Sequence, residues 1–148
     1  MSQLDGFFSL RTPADLLRKL EADFNRLRAA HPTSVDAQYA AFDFFVTAEH
    51  LPDWLSRTIG GSLTQHRAYL DGALISHVAN GAKHFRVDAT RHTTVRDTRS
   101  QAGAFQANAF QGSAFDVPRL VLDLENGMSI MVLEVAERVI EHWRRHIP

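Results

Sequence analysis

The chain has 148 residues, 45% of them hydrophobic and 22% charged, which is typical of one globular domain with its own core. Its formal net charge of −1 excludes a strong overall attraction to nucleic acid or to membrane surfaces. The absence of cysteine excludes disulfides, thiol nucleophiles and cysteine-ligated metals. Because no signal-peptide pattern and no membrane-length apolar run occurs, we expect a cytoplasmic protein.

The first predicted helix begins at Thr12, where a capping threonine, Pro13 and the acidic Asp15 form a helix-start pattern. Apolar residues with helical spacing follow, and His31-Pro32 ends the helix near residue 30. The predicted buried stripe consists of Leu16, Leu17, Leu20, Phe24 and Leu27.

Ser34 is expected to cap a second helix, whose stripe contains Tyr39, Phe42, Phe45 and Val46. The same spacing leads to Glu49 and His50, so the stripe ends in two titratable groups before Pro52 interrupts the helix. A short helical piece then ends at Gly60-Gly61. Ser62 caps a third helix, which carries His66, Leu70 and His77 and ends at Gly81.

The second half of the chain is predicted to contain β-structure. Residues 85–99 are rich in valine and threonine and predict one strand. Residues 100–116 are predicted to be a long loop that carries an alanine–phenylalanine repeat of period five, with aromatic anchors at Phe105, Phe110 and Phe115. A loop of this length within a domain is often functional.

Alternating leucines before Asn126-Gly127 predict a hairpin over residues 119–133 with a two-residue type I′ turn. That turn pairs Leu122 with Met131. It therefore places four large apolar side chains on one face: Leu120, Leu122, Met131 and Leu133. A final helix is expected over 134–147, with a stripe formed by Val135, Val139, Ile140, Trp143 and Ile147.

These elements predict an α+β fold in a single domain over residues 1–148. The helical part covers 12–84 as a bundle of three helical segments. The β part covers 85–133 as a small antiparallel hairpin or sheet, and the C-terminal helix follows.

Eight histidines raise the question of a metal site, but their spacing on the third helix does not support one. His66, His77 and His84 would share one stripe at separations on the order of 16 and 10 Å, too far apart for one ion. We also expect no histidine pair with one-turn spacing on a helix, so no metal site and no cofactor are predicted.

A sharper cluster lies at the end of the third helix. His77 and Asn80 are three residues apart, and Asn80 and His84 are four apart, so their side chains would stack on one helical face. Glu49 and His50 end the neighbouring stripe, so one of them is expected to approach His77. A carboxylate near a histidine can orient it for proton transfer. The alternative is structural: Asn80-Gly81 caps the helix, and Lys83 and His84 offset its dipole.

Over residues 35–85 the sequence resembles the HEPN superfamily of helical bundles, many of which are metal-independent ribonucleases, defence proteins or toxins. Asn80 and His84 resemble the polar residue and the histidine of the family motif, and Glu49 resembles its acidic residue on an earlier helix. The motif arginine falls on Ala79, with Lys83 or Arg86 as possible substitutes. The stretch NGAKHF is also similar to bacterial proteins of unknown function.

The resemblance implies RNA cleavage in which His84 acts as general acid or base, Asn80 is its positioning partner, and Glu49 is the orienting acid. Residues 83–99 carry a local excess of positive charge, so Lys83, Arg86 and Arg91 are predicted to hold RNA phosphates. The alternative is a non-enzymatic interaction module that uses the hairpin edge and the final helix to form a homodimer or to bind a protein partner.

Overall fold

The computed structural model describes residues 5–68, 75, 77–79, 95–101 and 118–148. In these ranges, helices α1 (Pro13–Ala29), α2 (Val35–Thr58) and α3 (Leu63–Ala68) precede strands β1 (Val95–Gln101), β2 (Arg119–Leu124) and β3 (Ser129–Met131), and helix α4 (Val132–His146) follows. Ile75 and residues 77–79 are also helical. The predicted α+β class, with helices first, a small antiparallel sheet next and a helix last, is confirmed.

Helix α1 forms as the sequence predicts. The Thr12 hydroxyl accepts a hydrogen bond from the Asp15 N–H at 3.1 Å, and the Asp15 carboxylate accepts one from the Thr12 N–H at 3.0 Å. This capping box satisfies two backbone donors that a helix start leaves open. The predicted stripe is buried, and it includes one residue that the pattern did not predict, Asp23.

Two predictions for α2 are wrong. The helix does not stop at Pro52 but continues to Thr58, because buried neighbours on both sides, Leu51 and Leu55, hold it in the core despite the missing N–H. Its buried face is also different, since Tyr39 and Phe42 are exposed. The buried face instead combines small and large apolar residues: Ala37, Ala40, Phe44, Phe45, Ala48, Leu51 and Leu55.

The sheet is antiparallel, with β2 between β1 and β3. Leu122 pairs with Ile130, so the predicted pairing of Leu122 with Met131 is wrong by one residue. The turn has three residues rather than two: the Gly127 N–H donates to the Leu124 carbonyl at 3.0 Å, and the Leu124 N–H donates to the Met128 carbonyl at 2.8 Å.

Only Gly127 of this turn has a positive φ, at 86°, whereas a type I′ turn also needs one at Asn126. The turn is therefore a type I turn followed by a glycine bulge. The shift leaves Met131 partly exposed and moves Ile130 onto the face that packs on the core with the leucines.

One hydrophobic cluster joins α1, α2, the sheet and α4. The predicted stripe of α4 is buried in it, and the helix begins at Val132, two residues before the predicted start. The Arg144 guanidinium donates to the Glu21 carboxylate at 2.8 Å and ties α4 to α1. The predicted loop over 100–116 also begins too early, because β1 continues to Gln101. The aromatic repeat lies outside the described residues.

Candidate functional site

A crevice of about 730 Å³ opens between α2 and the sheet. Its walls combine apolar side chains with neutral polar groups, and three charged residues of β1 also line it: Arg96, Asp97 and Arg99. This volume and composition are typical of ligand-binding clefts in proteins. The side chains that matter most for its chemistry are Gln38, Phe42, His77, Arg96, Thr98 and Ser100.

Strand β1 supplies the polar side of the crevice. Thr98 pairs with Leu122 and Ser100 with Leu120, so both hydroxyls lie on the face that carries the core leucines. Among the described strands β1 lies at the edge of the sheet, and both residues are exposed. The Gln38 amide donates to the Ser100 hydroxyl at 3.5 Å, which connects α2 to this edge.

A β-bulge determines where Arg96 lies. The register of β1 shifts between Val95 and Asp97, so Arg96 has no partner on β2. Bulges redirect a side chain and are frequent beside functional sites. Arg96 is exposed and lines the crevice.

The second arginine of β1 is neutralised. The Arg99 guanidinium contacts both carboxylate oxygens of Asp123, at 2.7 and 3.2 Å. This contact and a hydrogen bond from the Ser129 hydroxyl lower the pKa of Asp123 to about 2. The formal charges of these two residues and of Arg96 and Asp97 sum to zero. The excess positive charge predicted from residues 83–99 is therefore balanced at this end of the segment.

His77 is the predicted site residue that the structure connects to the crevice. The Val95 backbone N–H donates to His77 Nδ1 at 3.1 Å. Nδ1 must therefore carry its lone pair, which places the ring hydrogen of the neutral form on Nε2. The bond fixes the ring and holds the start of β1 against the helical residues 77–79.

Glu49 lies on α2, half-buried, and its carboxylate is 3.7 Å from the guanidinium of Arg67 on α3. Arg67 was not among the predicted partners of this acid. The remaining predicted residues, Asn80, Lys83, His84, Arg86 and Arg91, lie outside the described residues. Their proposed roles stay predictions.

Sequence reasoning missed a buried polar group between α1 and α2. Asp23 is only 2% exposed and accepts hydrogen bonds from Lys19 Nζ at 2.5 Å and from the Thr47 hydroxyl at 2.9 Å. The Lys19 side chain is partly exposed to solvent. The only sequence signal was a polar residue at a helical spacing from Leu20 and Leu27. The network is structural because all three groups satisfy one another.

The prediction that no histidine pair has one-turn spacing on a helix is wrong, because His142 and His146 lie one turn apart on α4. Their rings stack at 4.1 Å between centroids, and His146 Nδ1 lies 2.8 Å from the His142 carbonyl. Burial, with His146 and Arg145 nearby, lowers the pKa of His142 to about 4. Among the described residues, no group of three or more potential metal ligands occurs.

Comparison with protein-family models, curated proteins and solved structures gives no match for this chain. The geometry of the crevice is therefore the basis for the functional proposal.

Proposed function

We propose that this chain is a nucleic-acid-directed protein that binds single-stranded RNA in the crevice between α2 and β1. The observation that carries the proposal is the composition of that crevice. It combines apolar walls and a half-exposed aromatic ring, Phe42, with neutral hydrogen-bonding groups and an exposed arginine, Arg96. Single-stranded nucleic acid presents the matching parts, which are stacking bases with polar edges and a phosphate backbone.

Phosphate binding would involve two groups of cations. Arg96 forms no ion pair with any described residue and is available at the crevice. Because the charges around it cancel, most of the attraction must come from Lys83, Arg86 and Arg91, as the sequence predicts. A small number of phosphate contacts gives an affinity that falls moderately as salt increases.

The finer proposal is HEPN-like, metal-independent cleavage of the bound RNA by an RNA-processing, defence or toxin component. The RNA 2′-hydroxyl would attack the adjacent phosphate and form a 2′,3′-cyclic phosphate as the bond to the 5′-oxygen of the next nucleotide breaks. His84 would take the proton from the 2′-hydroxyl as general base or give one to the leaving 5′-oxygen as general acid, with Asn80 as its positioning partner and Glu49 as the orienting acid. Support comes from His77, which lines the crevice three residues before Asn80.

Binding is tested with a short fluorescent single-stranded RNA, titrated at several salt concentrations. Arg96→Ala should weaken binding and lower the slope of log Kd against log salt by about 1, because one phosphate contact is lost. Arg57→Ala is the matched control, since Arg57 is an exposed arginine that pairs with Asp53 on the far part of α2. Wild-type protein that binds no RNA at low salt would overturn the proposal.

Cleavage is tested separately with His84→Ala. A positioned acid–base group contributes about 10²–10⁴-fold in rate, so the variant should lose nearly all cleavage while still binding RNA. His50→Ala is the control, because His50 is an exposed histidine on α2. Equal cleavage by both variants would refute the catalytic assignment, and binding without any cleavage would leave a binding protein only.

The second candidate is a non-enzymatic interaction module, favoured by one observation. Val35, Tyr39 and Phe42 form an apolar stripe on α2 and are 54%, 65% and 50% exposed. The apolar stripe of α4 is buried in the chain's own core, which leaves only the outer face of that helix and the hairpin edge for such contacts. Tyr39→Glu should dissociate any oligomer seen by sedimentation equilibrium, and a wild-type chain that is monomeric at all concentrations would refute a homodimer.

A further inference from the structure

Phe42 differs from the neighbouring phenylalanines of α2. Phe44 and Phe45 are almost completely buried, with their rings edge to face at 5.7 Å. Phe42 is half exposed and lines the crevice. An aromatic ring at a cleft wall offers a flat apolar surface on which an unpaired base can stack.

Neutral polar groups lie beside Phe42 on α2 and opposite it on β1. Gln38, one turn before Phe42, and Ser100 are held together only by a contact of 3.5 Å, at the long limit for a hydrogen bond. A glutamine amide offers both a donor and an acceptor, the combination that reads the edge of a base. Thr98 adds a hydroxyl on the same face of β1.

The charged groups of the crevice lie on β1. Arg96, Asp97 and Arg99 line it, and Arg99 is paired with Asp123. Arg96 is exposed, as are the amide and the two hydroxyls. The ligand that fits has a planar part with polar edges beside Phe42 and an anionic part at Arg96.

We propose that the crevice is a base pocket that takes one unpaired nucleobase of a single-stranded RNA. The base stacks on Phe42, the amide of Gln38 and the hydroxyls of Thr98 and Ser100 bond to its edge, and the adjoining phosphate contacts Arg96. This inference rests on the proposed function and adds the part of the RNA that is recognised and the residues that recognise it.

The test uses the full chain and a short single-stranded RNA that carries one 2-aminopurine, a fluorescent base whose emission falls when it stacks. Wild-type protein should quench the emission on binding. Phe42→Ala should abolish the quenching and weaken binding about 5- to 100-fold, the range for loss of one stacked base. Phe42→Leu keeps an apolar side chain of similar bulk for the fold and should also lose the quenching. Tyr39→Ala is the control, because Tyr39 is an exposed aromatic of the same helix that does not line the crevice.

Edge recognition is tested with homopolymers of A, C and U. Gln38→Ala should reduce the differences in affinity among them while leaving the 2-aminopurine quenching intact. If RNA binds but neither quenching nor the effect of Phe42→Leu is seen, the base pocket is wrong and RNA binding stands. If wild-type protein binds no RNA, the proposed function and the pocket fail together. If a protein binds at the crevice and RNA does not, both proposals are likewise overturned.

Discussion

Helix α4 and the start of α2 both carry apolar and aromatic residues at helical spacing, but these residues are buried in α4 and partly exposed in α2. In α4 the whole apolar stripe is buried, from Val132 to Trp143. In the first half of α2, Phe44 and Phe45 are buried, whereas Tyr39 and Phe42 remain exposed, and Phe42 lines the crevice. Helical spacing of aromatic residues therefore does not by itself separate core from candidate binding surface, because tertiary packing decides which face of the helix is covered.

The largest expected difference in the free energy of unfolding is between variants of two phenylalanines of α2. Phe44 is fully buried and packs near Phe24, with 6.4 Å between ring centroids. Phe44→Ala should lower the free energy of unfolding by about 3–5 kcal/mol, whereas half-exposed Phe42→Ala should cost about 1 kcal/mol or less. Urea unfolding measures both, and similar losses would mean that Phe42 belongs to the core.

The polar network between α1 and α2 should be the next most sensitive feature. Asp23→Ala removes the charged acceptor of Lys19 and Thr47 and should cost about 2 kcal/mol. Thr47→Val keeps the shape but removes one donor and should cost about 1 kcal/mol. Asp53→Ala is the control, because its pair with Arg57 lies on the surface and should change stability little. An Asp23→Ala variant as stable as this control would contradict the structural role.

Acid should lower the stability of the folded chain through protonation of His142 on α4. The pKa of this histidine is lowered to about 4 in the folded chain, against about 6.5 when the chain is unfolded. The unfolded chain thus binds more protons between these values, so stability is complete above pH 6.5 and falls as the pH drops toward 4. Because the His142 ring stacks on exposed His146, solvent screens part of its charge. The loss in the free energy of unfolding should therefore be on the order of 1–2 kcal/mol.

Urea unfolding between pH 4 and 8 measures this slope. In His142→Gln, which does not titrate, the part of the slope between pH 6.5 and 4 should disappear. An identical pH dependence in both proteins would show that His142 is protonated as easily in the folded chain as in the unfolded one.

The smallest loss of stability is expected for substitutions in the hairpin turn. Gly127 has a φ of 86°, where a side chain is strained, so Gly127→Ala should cost about 1 kcal/mol. Asn126→Ala removes the acceptor of the Met128 N–H, at 3.0 Å, and should cost about 0.5–1 kcal/mol. Thermal unfolding in which Asn126→Gly is clearly more stable than wild type would favour the two-residue type I′ turn instead.

Local signals allowed much of the fold to be predicted. The capping box at Thr12, the stripe of α1 and the stripe of α4 depend on residues close in sequence, and all three are confirmed. The errors arose where tertiary packing decides. Pro52 is tolerated inside α2 because its neighbours are buried, and a one-residue change in turn length moved Ile130 rather than Met131 onto the core face.

The candidate site was less predictable for a related reason. The crevice is formed by α2, residues 77–79 and β1, which are distant in sequence, and its key groups are ordinary residues such as Gln38 and Thr98. The bulge that redirects Arg96 leaves no signature in the sequence. Glu49 and His77 were chosen because they end or interrupt apolar stripes, but their observed partners, Arg67 and the Val95 N–H, could not be derived from that pattern.

The most direct test of the central claim is photo-crosslinking of the full chain to a single-stranded RNA that contains 4-thiouridine, followed by mass spectrometry of the linked peptides. If the crevice binds RNA, the cross-links should fall on the peptides that contain Phe42 and residues 95–101, and Arg96→Ala should reduce them while Arg57→Ala does not. Cross-links confined to the outer faces of α1 and α4 would contradict the account, because those surfaces lie away from the crevice.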